Sequence, residues 1–165
     1  MSGRLQGLAP VIGRATRLLI LGSFPSVKSL EAQQYYAHPR NHFWPILSDL
    51  LDEPLVGLPY RQRLHRVIVR GLGIWDSIVA CERPGSLDSA IRQAAVGELE
   101  RVTGTARQLT AVAFNGTTAA RAEPLWNDAG YRTLRLPSTS PAYTLPLAEK
   151  IRAWRVLREF VAPAL

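Results

Sequence analysis

The stretch that most restricts how this chain can fold is Leu18-Leu19-Ile20-Leu21-Gly22, continuing as Ser23-Phe24-Pro25-Ser26. An apolar run this short, with no polar residue alternating through it, reads as a strand buried on both faces. Glycine at its end lets backbone approach a neighbour closely, and the proline fixes the turn. A dense cluster of aromatic, amide and basic residues follows: Tyr35-Tyr36-Ala37-His38-Pro39-Arg40-Asn41-His42-Phe43-Trp44. Open α/β sheets bind ligands outside the carboxyl ends of their strands, so this order puts hydrogen-bonding and stacking groups where a site would form.

The remaining chain alternates strand and helix patterns. Arg17–Leu21, Gly73–Trp75, Leu109–Phe114 and Tyr131–Leu136 read as strands. Asn41–Leu51, Tyr60–Arg70, Gly97–Thr103, Thr117–Trp126 (distorted near Pro124) and Leu147–Val161 read as helices. Ser86–Ala95 opens with a serine in capping position and also reads as helix. In the last helix Leu147, Ile151, Trp154, Leu157 and Val161 form one apolar stripe, which assigns Trp154 to the core. The alternation predicts an α/β fold with a mainly parallel sheet covered on both faces. Three polar loops, Gly22–Asn41, Trp75–Gly85 and Pro137–Thr144, would then meet along one sheet edge. No linker or repeat divides the sequence, so residues 1–165 read as a single domain.

Composition narrows the partners. The net charge is +7, with lysine only at positions 28 and 150 and arginine supplying the rest. That balance suits a polyanion, because the guanidinium fork matches phosphate. Cys81 is the only cysteine, which excludes an internal disulfide. His38, His42 and His65 do not combine with it at a metal-ligand spacing, so no metal is expected. No apolar run has the length of a membrane span, and Met1-Ser2-Gly3-Arg4 leads into no signal-peptide core. A cytoplasmic monomer with a polyanionic partner is the expectation.

Gly22–Ser26 is neither a dinucleotide fingerprint nor a nucleophile elbow, since the glycine spacings of both are missing. Taken with His38–Trp44, Gly73-Ile74-Trp75-Asp76, Gly85-Ser86-Leu87-Asp88-Ser89-Ala90-Ile91, Phe114-Asn115-Gly116 and Leu136-Pro137-Ser138-Thr139-Ser140-Pro141-Ala142, it resembles the uracil-DNA glycosylase superfamily. The resemblance is closest to the hypoxanthine-DNA glycosylases and runs in family order from Leu18 to Ala142. It implies a three-layer α/β/α sandwich on a four-stranded, mostly parallel sheet. It implies a monofunctional, cofactor-free enzyme that flips a deaminated base from DNA and hydrolyses its N-glycosidic bond.

The resemblance also distributes roles. The mismatch-specific uracil enzymes position water with an asparagine where this chain has Phe24, and they carry asparagine where it has Ser138. Uracil excision is therefore the weaker reading. In the hypoxanthine branch the water-positioning asparagine maps onto Asn41, which the bare sequence reads first as a helix cap. Phe24 becomes a stacking surface for the base, with Gly22 and Ser23 beside it. Asp76 ends a strand where relatives read the base; its carboxylate would accept the N1–H of hypoxanthine, which adenine lacks. The plainer alternative is a cap or a salt bridge with Arg83. Asn115 is a second base reader or a tie across the sheet edge. Ser26, Lys28, Arg40, Ser138, Thr139 and Ser140 are candidate phosphate contacts, and Tyr143 a wedge into the emptied stack. Two rivals remain: a lyase using the amine of Lys28, and a non-catalytic DNA-binding module on the same fold.

Overall fold

A computed structural model describes residues 3–164. Its strands are β1 (Leu5–Gln6), β2 (Leu18–Gly22), β3 (Leu72–Asp76), β4 (Ile78–Glu82), β5 (Arg92–Val96), β6 (Ala111–Asn115) and β7 (Arg132–Leu136). The α-helices are α1 (Val27–Ala32), α2 (Phe43–Leu51), α3 (Tyr60–Val69), α4 (Glu100–Thr103), α5 (Glu123–Asp128) and α6 (Leu147–Trp154).

Four strands form a wholly parallel sheet in the order β3-β2-β6-β7. The apolar run of β2 is fully buried, and its residues divide between the two faces. Leu18 and Ile20 join a core with Phe43, Leu47, Val67, Trp154 and Leu157. Leu19 and Leu21 join another with Trp75, Val102, Phe114 and Trp126. Helices α2, α3 and α6 therefore cover one face, and α4 and α5 the other. This is the three-layer sandwich that continuous apolar strands require.

Beside it lies a small antiparallel sheet, β1-β4-β5, that the sequence did not announce. After Asp76 only Ser77 intervenes before β4, so the expected Trp75–Gly85 loop is mostly strand. Ser86–Ala95 is not a helix. It contains a single 3-10 turn, Asp88–Ala90, and then β5. The serine that looked like a cap does cap a helix, but a remote one: its hydroxyl accepts the N–H of Val27, the first residue of α1. Strand β5 is almost wholly exposed and irregular in register, with Gln93 at φ 53°, so no apolar alternation marks it.

Other departures are smaller. Thr117–Trp126 divides into a 3-10 turn at Ala119–Ala122 and α5, with Pro124 in the first turn of α5, where its missing N–H costs nothing. The final helix tightens to 3-10 geometry at Arg155–Phe160 while its stripe keeps facing the core, with Trp154 fully buried. Cys81 is buried beside Phe24 and Ile78. Among the described residues no helix is long and apolar enough to cross a membrane, and no group of three His, Cys, Asp or Glu side chains is placed to hold a metal ion.

Candidate active site

At the carboxyl edge of the parallel sheet Gly22 ends β2, Asp76 ends β3 beside it in register, and Asn115 ends β6 on the other side. A cavity of about 290 Å³ opens there. That is the lower end of small-ligand pockets, a size for one base rather than a dinucleotide. Its wall brings together Gly22, Ser23, Phe24, Ser26, Asn41, Asp76, Asn115, Ser138, Thr139, Ser140 and Tyr143. Lys28 and Arg40 are exposed and do not line it. Of the three loops expected to meet, Gly22–Asn41 and Pro137–Thr144 do; the third, Trp75–Gly85, contributes only Asp76, and Ser86, Leu87 and Asp88 beyond its bounds complete that side.

Asn41 takes up the capping role weighed for it, from the position just before the N-cap residue His42. Its Oδ1 accepts the N–H of Phe43 at 2.9 Å, at the mouth of α2. The bond fixes the amide orientation, leaves Oδ1 a second lone pair, and leaves the Nδ2 hydrogens without a protein partner. An amide held this way can orient water without being a base. The backbone of the next residue, His42, donates to Thr139 O, which locks this segment to the Pro137–Thr144 loop.

Asp76 is 5% exposed, and its Oδ2 has no hydrogen-bond partner. Burial is the main reason its pKa is pushed up to about 7; the nearby Asp88 raises it further and Arg83 opposes the rise. There is no salt bridge to Arg83. That guanidinium donates to the carbonyls of Gly85 and Pro25 and stands over the Phe24 ring, 5.2 Å from its centroid. Phe24 thus has one face held by a cation while it also lines the cavity. Ser23 donates to Asp88 Oδ1 at 2.8 Å.

Asn115 is placed differently. Its Nδ2 donates to Thr139 Oγ1 at 3.0 Å and to Tyr36 Oη at 3.2 Å, and its Oδ1 accepts Thr139 N–H at 2.9 Å. Both amide hydrogens and the carbonyl are engaged within the protein, so it ties the sheet edge to the loop. Thr139 is 1% exposed with its hydroxyl accepting from Asn115, so its burial speaks against the phosphate contact expected of it. Ser138 and Ser140 remain on the wall, each hydroxyl accepting a backbone N–H two residues on. Ser26 caps α1 by accepting the N–H of Ser29. Tyr143 stands exposed at the rim with the Lys150 ammonium over its ring. Lys150 is itself fully buried, reaching Ser140 O at 3.3 Å, and burial lowers its pKa.

Sequence reasoning left Tyr35, Tyr36 and His38 of this wall without roles, although they sit inside the aromatic and basic cluster that drew attention to it. Lys150 left no signal, because it reaches Ser140 from a helix behind the loop, and Arg83 had been weighed only as an ion-pair partner for Asp76.

The family model for the uracil DNA glycosylase superfamily matches residues 10–158. A hypoxanthine DNA glycosylase of Methanosarcina barkeri is 35% identical over 149 residues, covering 90% of this chain and 94% of that one. A hypoxanthine DNA glycosylase of Methanosarcina acetivorans is 36% identical over 137 residues, covering 83% and 87%. A solution NMR structure from Methanosarcina acetivorans, provisionally described as a uracil DNA glycosylase, superposes with a TM-score of 0.82 at 33% identity, covering 94% of this chain and 99% of that one.

Proposed function

Because the chain belongs to the uracil DNA glycosylase superfamily, we propose that it is a DNA glycosylase that excises deaminated bases, hypoxanthine foremost, by hydrolysing the N-glycosidic bond. The observation that carries the reading is the pairing, in one base-sized cavity, of an oriented amide at Asn41 with a buried, unpartnered carboxylate at Asp76. A target base reaches such a cavity only by leaving the helix, and a deaminated base leaves most cheaply because its pairing is already weakened.

In this reading Phe24 stacks on the flipped base, a contact worth about 1–3 kcal/mol and tolerant of base identity. Asp76 supplies identity by accepting N1–H. Asn41 holds the attacking water on the sugar side through its free lone pair, and the surrounding dipoles stabilise charge as the bond to the sugar breaks. Ser138 and Ser140, with the backbone of their loop, meet the phosphates, and Tyr143 at the rim fills the gap left in the stack. Lys28 lies outside the cavity wall, which favours hydrolysis over a lyase step.

The test is a panel of duplexes carrying a single inosine, uracil, xanthosine or adenosine. Free hypoxanthine and an alkali-labile abasic site are the expected products. Asn41→Ala should lower the single-turnover rate by about 100-fold or more, on the scale of losing one positioned polar group, with duplex affinity nearly unchanged. Faster release of uracil than of hypoxanthine would overturn the preference. No release of any base by the wild type would leave a DNA-binding module.

A further inference from the structure

We propose that Tyr36 is a specificity-determining residue, its hydroxyl donating to O6 of the flipped base while Asp76 accepts N1–H, so that the two together read the 6-oxo, 1-NH edge of a purine. This rests on the reading of the cavity as a base-excision site and adds the second half of the reader.

Four observations carry it. The Tyr36 hydroxyl accepts from Asn115 Nδ2, but its own proton has no partner within the protein. Asn115 thereby fixes the hydroxyl oxygen from one side, and its hydrogen is free to turn towards the cavity that Tyr36 lines. Second, hydroxyl and carboxylate converge over the same backbone: a Cβ on Gly22 would collide with Asp76 Oδ1 and lie 2.8 Å from Tyr36 Oη. Only a glycine lets both reach one small ligand edge. Third, the Tyr36 ring is stacked on Phe43, centroids 3.8 Å apart and 15° from parallel. Finally, Tyr36 holds φ at 55°, a left-handed conformation uncommon for a bulky residue and kept only where surroundings impose it. Burial and the facing Asp76 carboxylate both keep the phenol protonated, so it is a donor at any working pH.

The complementarity is directional. Hypoxanthine presents an acceptor at O6 beside a donor at N1, matching a phenol donor and a carboxylate acceptor. Adenine presents the reverse, an amino donor beside an N1 acceptor, and would leave the buried Tyr36 proton without a partner. Sites that hydrogen-bond a substrate group reject the analogue lacking it far more strongly than apolar pockets reject a missing methylene. The substrate class is thus purines with a 6-oxo, 1-NH edge, xanthine included. Guanine shares the edge and is protected by its firm pairing with cytosine.

Tyr36→Phe tests the assignment, because it keeps the ring on Phe43 and removes only the hydroxyl. Affinity is measured for duplexes carrying the non-cleavable 2′-fluoroarabino forms of inosine and of nebularine, which lacks both O6 and the N1 proton and so can gain nothing from the Tyr36 hydroxyl as donor to O6. The wild type should prefer inosine. Tyr36→Phe should weaken inosine binding about 10-fold or more and leave nebularine within about twofold. Equal losses for both duplexes, or no loss for either, would overturn the role of Tyr36 while leaving base excision standing. A wild type that releases no hypoxanthine from cleavable inosine would overturn the excision reading itself. Should the variant unfold, the wild type's affinity for the 2′-fluoroarabino 6-thioinosine duplex decides, because that base keeps N1–H and replaces O6 by a weak acceptor; affinity equal to that for inosine contradicts the proposal.

Discussion

Asp76 and Asn115 occupy matching places and have opposite fates. Each is the last residue of a strand flanking β2, each is nearly buried, and each lines the same cavity. Asn115 has its amide oxygen and both amide hydrogens engaged by Thr139 and Tyr36. Asp76 Oδ2 is buried with nothing to bond. Proteins rarely leave buried polar atoms unpaired, since each costs about 1–3 kcal/mol and a charge costs more. In the proposed reading the contrast separates frame from reader: the satisfied amide ties the sheet edge to the loop, and the unsatisfied carboxylate is left to a ligand group. It is also a trade of stability for function at one residue.

Substituting leucine at both positions sharpens the contrast most, because the shape is roughly kept and the polarity removed. Asp76→Leu should raise stability at pH 8 by about 2–4 kcal/mol. Asn115→Leu should lower it by a similar amount, leaving Thr139 N–H and its hydroxyl buried without partners. Denaturant unfolding reads both. The Asp76 effect must also depend on pH. Its folded pKa of about 7 stands above the ordinary carboxylate value. The folded state therefore binds the proton more tightly, and the group's contribution, full below about pH 4, is lost as pH rises through 7. The gain from Asp76→Leu should accordingly shrink towards zero at pH 4 and be greatest at pH 8. A gain independent of pH would mean that the carboxylate is not held out of water.

A smaller effect concerns selectivity. Above pH 7 the ionised carboxylate only accepts, which suits N1–H. Below pH 7 the protonated acid can also donate to N1 of adenine. The ratio of affinities for the inosine and adenosine 2′-fluoroarabino duplexes should rise severalfold from pH 6 to pH 8. The charged neighbours of Asp76 are Asp88, which raises its pKa, and Arg83, which lowers it. A flat ratio would argue that Asp76 does not touch the base edge.

Much of this was legible from residues, and the pattern of the misses is physical. The parallel sheet followed from β2, whose neighbours in sequence are buried on alternate faces and so leave an uninterrupted apolar run. Asp76 and Asn115 were singled out because strand ends in such a sheet share an edge, and Asn41 through the resemblance carried by His38-Pro39-Arg40-Asn41. What sequence could not supply was which polar atoms were already engaged. Asn115 and Asp76 looked alike until Thr139, which had been set among the phosphate contacts, proved to be turned inward onto Asn115. Strand β5 was missed because an exposed, irregular edge strand has no alternation to read. Ser86 misled because a hydroxyl caps whichever N–H comes near it, and Val27 was 59 residues away in the chain. Tyr36 was passed over because a tyrosine among aromatics reads as packing, which its ring indeed does, while its hydroxyl does something else.

The most direct test is the single-turnover release of hypoxanthine from an inosine duplex by Asp76→Leu, with enzyme in excess and folding verified by the same unfolding curve. A stable protein with its rate lowered about 100-fold is the predicted result. A rate equal to that of the wild type would contradict the claim that the unpartnered carboxylate reads the base.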